Sequence, residues 1–262
     1  MPVVNNRGIK IHYEVEGSGI PIMLHHGFGN CIEDYYELGY VDALKNDYQL
    51  VLIDCRGFGK SDKPHSPESY DFSLRTSDTI AVMDALGIDK GIAWGNSMGG
   101  RIIYALMHYY PDRFSAYCVG GIHPYQDKLE MIHKIQDWLS QGMRNAVNTF
   151  EQIYAPFPKN LRTRYLKNDP DAMRAVYAKP APDFTKALSE VTAPVLMYCG
   201  SKEDCRAEME RAAKLIQDGE IQIIEGFNHS ETYWQGGLAC EYIKDFLNRY
   251  EAVWNKKMSF GM

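Results

Sequence analysis

The sequence lacks the marks of several whole classes of protein. Its 262 residues contain no run of about 18 consecutive apolar residues, so no membrane span is expected. The opening stretch, MPVVNNRGIKIHYEVEG, has no apolar segment of the kind that directs secretion, and a cytoplasmic protein is expected. Basic residues are outnumbered, 28 Lys and Arg against 34 Asp and Glu, and the net charge of −6 leaves no basic footprint for nucleic acid. Cysteine is sparse. The six residues Cys31, Cys55, Cys118, Cys199, Cys205 and Cys240 form no C-x-x-C pair, which points to free thiols rather than a disulfide framework. There is no internal repeat and no low-complexity tract.

Two nucleotide-binding patterns begin and then fail. DCRGFGKS contains Gly59-Lys60-Ser61, but the phosphate loop needs a glycine five places earlier, where Asp54 stands. GFGNCI starts like a dinucleotide fingerprint and has Ile32 at its third glycine. No cofactor is called for. The adjacent His25 and His26 have no carboxylate or cysteine at ligand spacing, so no metal site is expected. The tripeptide Asn228-His229-Ser230 matches a glycosylation acceptor, which is chance in a cytoplasmic chain.

What is present is an alternation of short apolar runs and longer helical patterns. GIKIHYEVEG alternates like an edge strand, and the runs at 20–24, 48–54, 88–94, 114–122, 193–200 and 220–226 read as further strands. IAVMDALG ends a helix with Gly87 as its C-terminal cap, MGGRIIYALMHYY has helical periodicity, and LACEYIKDFLNRY is a closing amphipathic helix. Strands alternating with helices predict an α/β fold with a mostly parallel sheet. The rhythm breaks over 125–186, a proline-punctuated, helix-rich stretch with ten Lys or Arg against seven Asp or Glu. It is read as a helical cap inserted into a core formed by 1–124 and 187–262, at the sheet edge where such folds bind ligands.

Chemistry concentrates at strand ends. Gly95-Asn96-Ser97-Met98-Gly99 is a G-x-S-x-G between an expected strand and an expected helix, which pushes the serine hydroxyl off the strand end. A serine hydroxyl needs a base, and His229 in EGFNHSETY stands after a strand and a glycine. A third group must orient the imidazole; MYCGSKEDC ends a strand and offers Glu203 and Asp204. In MLHHGFGN a glycine-flanked bend can aim the Phe28 N–H at a developing oxyanion, opposite the Met98 N–H at a helix N-terminus. Asn96 and His26 are candidates for contacts with substrate. Trp138, Phe150, Tyr154, Phe157, Tyr165 and Tyr177 either line an apolar pocket or pack the cap onto the core.

Taken together, HHGFG, DCRGFGKSDKP, WGNSMGGR and GFNHS resemble the α/β-hydrolase fold family in order and spacing, over nearly the whole chain. The resemblance implies an eight-stranded, mostly parallel sheet, Ser97 as nucleophile, His229 as general base, and the Phe28 and Met98 amides as oxyanion hole. It places the acid three residues after the glycine that ends the strand, at Glu203, whereas the commoner residue type, aspartate, is at position 204. A serine nucleophile sets the chain apart from the dehalogenase and epoxide-hydrolase branches, which attack with aspartate. Asn96 resembles the residue before the serine in some carbon–carbon bond hydrolases and some lactonases, yet the tryptophan that usually follows the histidine in the carbon–carbon branch is Ser230 here. The activity implied is hydrolysis of a small carboxylic ester or lactone through an acyl-enzyme. The alternatives are a carbon–carbon bond hydrolase and a small-molecule receptor on the same scaffold.

Overall fold

A computed structural model describes residues 2–259, with side chains up to residue 250. Eight strands form one sheet: β1 Val3–Asn6, β2 Ile9–Gly17, β3 Ile20–His25, β4 Tyr48–Ile53, β5 Gly91–Asn96, β6 Phe114–Gly120, β7 Val195–Gly200 and β8 Gly219–Ile224. Their spatial order is β1-β2-β4-β3-β5-β6-β7-β8. The pairings β1–β2 and β2–β4 are antiparallel and all others parallel, as the sequence predicts for most of the sheet.

The edge differs from expectation. The segment around Ile9–Gly17 is the second strand, and the edge belongs to Val3–Asn6, which the apolar pattern does not reveal because two of its four residues are asparagine. The hairpin between them turns through Arg7 and Gly8, both at positive φ (54° and 88°), the backbone of a turn that matches strand twist.

Side-chain alternation along the parallel strands divides the interior in two. Met23, Val51, Ala93, Tyr117 and Met197 point to one face and join a core with the helices Phe72–Ala85 and Met98–Tyr109. Leu24, Leu52, Trp94, Cys118 and Tyr198 point to the other and pack on Ile32–Glu37, Tyr40–Leu44 and Gly236–Ser259. The helix Phe72–Ala85 ends as its sequence predicts: Gly87, at φ 67°, donates to the Asp84 carbonyl and Ile88 to that of Met83. Between β6 and β7 lie five helices, Leu129–Ser140, Met143–Ile153, Lys159–Tyr165, Pro170–Val176 and Thr185–Glu190. They reach the loops at the carboxyl edge of the sheet, where Asn168 donates to the Gly29 carbonyl at 2.7 Å and Arg164 to the buried Asp34. All six cysteines are free thiols. No helix among the described residues is long and apolar enough to cross a membrane.

Two glycines let the helix Met98–Tyr109 start directly against the sheet. A Cβ on Gly99 would overlap the His25 carbonyl, and one on Gly95 would overlap the Gly99 backbone. Because both obstacles are backbone, neither can yield by a rotamer change. Gly99→Ala is therefore expected to lower stability by more than about 2 kcal/mol. Urea unfolding measures this, and a midpoint equal to wild type would contradict so close an approach.

Candidate active site

Ser97 sits between β5 and the helix Met98–Tyr109 with φ 53° and ψ −114°, a conformation that a side-chain-bearing residue rarely adopts. Its own N–H is spent on the Gly120 carbonyl at 2.8 Å, which ties the turn to β6. The hydroxyl is thereby presented above the sheet, 3.0 Å from Nε2 of His229.

His229 is the first residue of the helix His229–Trp234, whose start is fixed by a capping box. The Asn228 side chain accepts from Glu231 N–H at 3.0 Å, and the Glu231 carboxylate accepts from Asn228 N–H at 3.0 Å. The Asn228 amide also donates to the Tyr154 carbonyl at 2.8 Å, which locks the loop to the inserted helices. The apparent glycosylation acceptor is thus a helix cap.

On the far side of the imidazole, Nδ1 lies 3.1 and 3.0 Å from the two oxygens of Glu203. With a carboxylate at Nδ1, that nitrogen carries the proton, and Nε2 is left as acceptor for the serine hydroxyl. Glu203 is buried, 8 % exposed, in a turn in which its N–H donates to the Gly200 carbonyl at the end of β7. Gly121, at φ 61°, leaves room for the pair, since a Cβ there would stand 3.2 Å from Nδ1 and 3.3 Å from the carboxylate. Asp204, the other candidate, is exposed and makes no hydrogen bond to the imidazole.

The residues expected to stabilise an oxyanion flank Ser97. Gly27 approaches so closely that its Cβ would be 3.7 Å from that of Ser97. The loop turns back at once, with Asn30 N–H donating to the Gly27 carbonyl and Gly29 at φ 77°. Neither Phe28 N–H nor Met98 N–H donates to a protein acceptor among the described residues. The failed phosphate loop finds its use here. Asp54, fully buried, accepts from Ile32 N–H, Lys60 N–H and His12 Nδ1 at 2.8–2.9 Å, and so clamps the end of the Phe28 loop to the stretch containing Gly59 and Lys60.

His26 does not contact the cleft, contrary to expectation. Alternation after β3 turns its ring inward, where it is fully buried; Nδ1 donates to the Gly27 carbonyl at 2.8 Å and Nε2 accepts from Cys55 N–H at 3.1 Å. With both nitrogens committed, it shapes the loop. Asn96 does line the cleft, and its Oδ1 accepts from Tyr198, whose hydroxyl in turn accepts from Trp94.

The cleft holds about 60 Å³ and is walled by Phe28, Phe150, Phe157, Tyr165, Tyr233 and Trp234. Of the aromatic candidates, Phe150, Phe157 and Tyr165 line it. Tyr154 stacks near His229 with ring centroids 5.4 Å apart, Trp138 packs on Phe150 and Tyr177 on Phe28. Ser230, Tyr233 and Trp234 complete the wall and escape sequence reasoning. The capping pattern N-x-x-E at 228–231 is the signal for them, since a helix starting at His229 puts Tyr233 on the same face one turn later. The Tyr233 hydroxyl is enclosed and has no hydrogen-bond partner among the described residues.

Burial alone would lower the His229 pKa. The Glu203 carboxylate, by charge and hydrogen bond, outweighs this with a smaller push from Asp204, and the pKa stands above the usual histidine value. Removing a carboxylate that stabilises the imidazolium must let the proton leave at lower pH. An NMR titration should place His229 above about 6.5, with a marked fall in Glu203→Gln and a smaller one in Asp204→Asn. An unchanged titration in Glu203→Gln would contradict the assignment of the pair.

Comparison with known proteins agrees with the fold. Residues 20–172 match the family model described as alpha/beta hydrolase fold. The chain is 23 % identical over 248 residues to a putative 2-succinyl-6-hydroxy-2,4-cyclohexadiene-1-carboxylate synthase of Bacillus subtilis (strain 168), covering 85 % of this chain and 88 % of the relative. It superposes on the enol-lactonase from Burkholderia xenovorans LB400 with a TM-score of 0.83 at 20 % identity, covering 94 % of this chain and all of the other (100 %). A thermophilic esterase from Thermogutta terrifontis gives a TM-score of 0.81 at 21 % identity, with 95 % and 98 % covered. These solved structures share the fold. The strand order, the strained serine turn and the matched family model lead to one conclusion: the chain belongs to the α/β-hydrolase family.

Proposed function

We propose that the protein is a serine hydrolase that cleaves a small carboxylic ester or lactone through an acyl-enzyme. The observation that carries this reading is the unbroken line from Ser97 Oγ through His229 to Glu203, with both links at 3.0–3.1 Å. In this reading His229 takes the hydroxyl proton as Ser97 attacks the carbonyl carbon. Glu203 holds the tautomer and stabilises the imidazolium that forms. Negative charge gathers on the former carbonyl oxygen, between the uncommitted amides of Phe28 and Met98; one such donor contributes on the order of 3 kcal/mol to the transition state. His229 then gives its proton to the leaving alcohol, and water, deprotonated by the same imidazole, releases the acid.

The stretch 125–186 serves as a cap in this account. It supplies Phe150, Phe157 and Tyr165 to the cleft and sets the size of the acyl group. The small volume and aromatic walls favour short acyl chains over fatty ones. Activity on 4-nitrophenyl esters should fall as the acyl chain lengthens beyond a few carbons. Ser97→Ala should reduce kcat/KM by about 10⁴-fold or more, with circular dichroism and Tm close to wild type. Retention of most activity in the alanine variant, toward each ester and lactone that the wild type cleaves, would overturn the reading.

A further inference from the structure

Three arginines are buried in the layer that carries the nucleophile's helix: Arg56 at 3 % exposure, Arg101 at 4 % and Arg75 at 6 %. Two of them are paired with acids. Arg56 grips Asp78 at 2.6 and 2.7 Å and donates to the Ser69 carbonyl. Arg101 pairs with Asp127 and donates to the Tyr125 carbonyl at 2.5 Å. The side chain of Arg75 has no ion pair and no hydrogen bond among the described residues. Its marked contact is the Phe72 ring, whose centroid lies 4.8 Å from the guanidinium carbon.

A guanidinium remains protonated in proteins, and a buried charge ordinarily has a partner. Of the two acids one turn away along the helix, Asp78 is held by Arg56, and Asp71 is exposed with Lys179 3.6 Å away. Burial lowers the Arg75 pKa below the usual arginine value, as expected of a charge left uncompensated. Its nitrogens are nevertheless accessible: among the described residues the fully enclosed polar atoms without partners are His12 Nε2 and the Tyr233 hydroxyl. Arg75 lines a small cavity of about 20 Å³ together with Met98, Tyr177, Lys179 and the Arg101–Asp127 pair. That is room for one small polar group. The cavity stands directly behind the expected oxyanion pair, because Met98 forms one wall and Tyr177, 4.6 Å from the Phe28 ring, forms another.

We propose that Arg75 is the anchor of a small-carboxylate subsite behind Phe28 and Met98. A carboxylate fits because the guanidinium fork takes its two oxygens in parallel, and because, with Arg101 paired to Asp127 and Lys179 to Asp71, Arg75 is the cation of this wall left without an acid. The carboxylate is either a free anion or the far end of the substrate's own acyl group. The second source rests on the ester-hydrolase reading above, and would make Arg75 a determinant of specificity for acidic esters.

Two measurements on wild type and Arg75→Met separate these sources. One is the ratio of kcat/KM for 4-nitrophenyl hemisuccinate to that for 4-nitrophenyl acetate, in which a general loss of activity cancels. The other is saturable line broadening of ¹³C-formate by NMR, which needs no turnover. A fall of about tenfold or more in the ratio in Arg75→Met, with loss of formate broadening, assigns the subsite to the substrate. Loss of formate broadening with an unchanged ratio assigns it to a free carboxylate. No saturable broadening by wild type together with an unchanged ratio overturns the proposal. If Arg75→Met does not fold, wild type and Arg75→Lys decide: formate must broaden with wild type, and the ratio must fall in the lysine variant, which keeps the charge and loses the fork. Wild type that cleaves no ester refutes the hydrolase reading, while the formate measurement still judges Arg75.

Discussion

The site depends on one backbone constraint, the φ 53°, ψ −114° conformation at Ser97. Residues in such regions stand about 1–3 kcal/mol above relaxed backbone and persist only where their surroundings overdetermine them. Here the surroundings are explicit. Ser97 N–H is held by β6, Gly95 and Gly99 allow strand and helix to meet without side chains between them, and Arg101 N–H closes the first helical turn onto the Ser97 carbonyl. The same geometry leaves the Met98 amide without a protein acceptor and lifts the hydroxyl toward His229. Strain, hydroxyl position and an uncommitted donor follow from a single turn.

The remaining parts are positioned by polar groups that are almost all spent on each other. Asp54 gathers three donors and fixes the Phe28 loop, Asn228 and Glu231 cap one another and fix His229, and Glu203 is held by the turn after β7. Against this background of satisfied groups, a few unsatisfied ones stand out among the described residues: two amides beside the serine, the Tyr233 hydroxyl, His12 Nε2 and the Arg75 guanidinium. Buried groups without partners are rare because they are unfavourable.

Much of this was legible in the sequence wherever the cause was local. The G-x-S-x-G turn, the strand-ending glycines and the Gly87 cap are steric requirements of a few adjacent residues, and the sheet followed from alternating apolar runs. Legibility failed where the deciding atoms came from elsewhere in the chain. Glu203 and Asp204 are neighbours of like charge; what separates them is the turn onto Gly200 and the space left by Gly121, over 80 positions earlier. His26 read as a cleft residue because its inward turn depends on Cys55, on the neighbouring strand's end. Val3–Asn6 lacked an apolar pattern and became a strand only by pairing with β2.

The central claim is that Ser97 alone is activated, and by His229. The most direct measurement is the pH dependence of phosphonylation by a fluorophosphonate, with the adduct located by peptide mass spectrometry. The account predicts a single adduct on Ser97, formed at a rate that rises through one ionisation above the usual histidine value as His229 loses its proton. An adduct elsewhere, or a rate indifferent to replacement of His229 by glutamine, would contradict it.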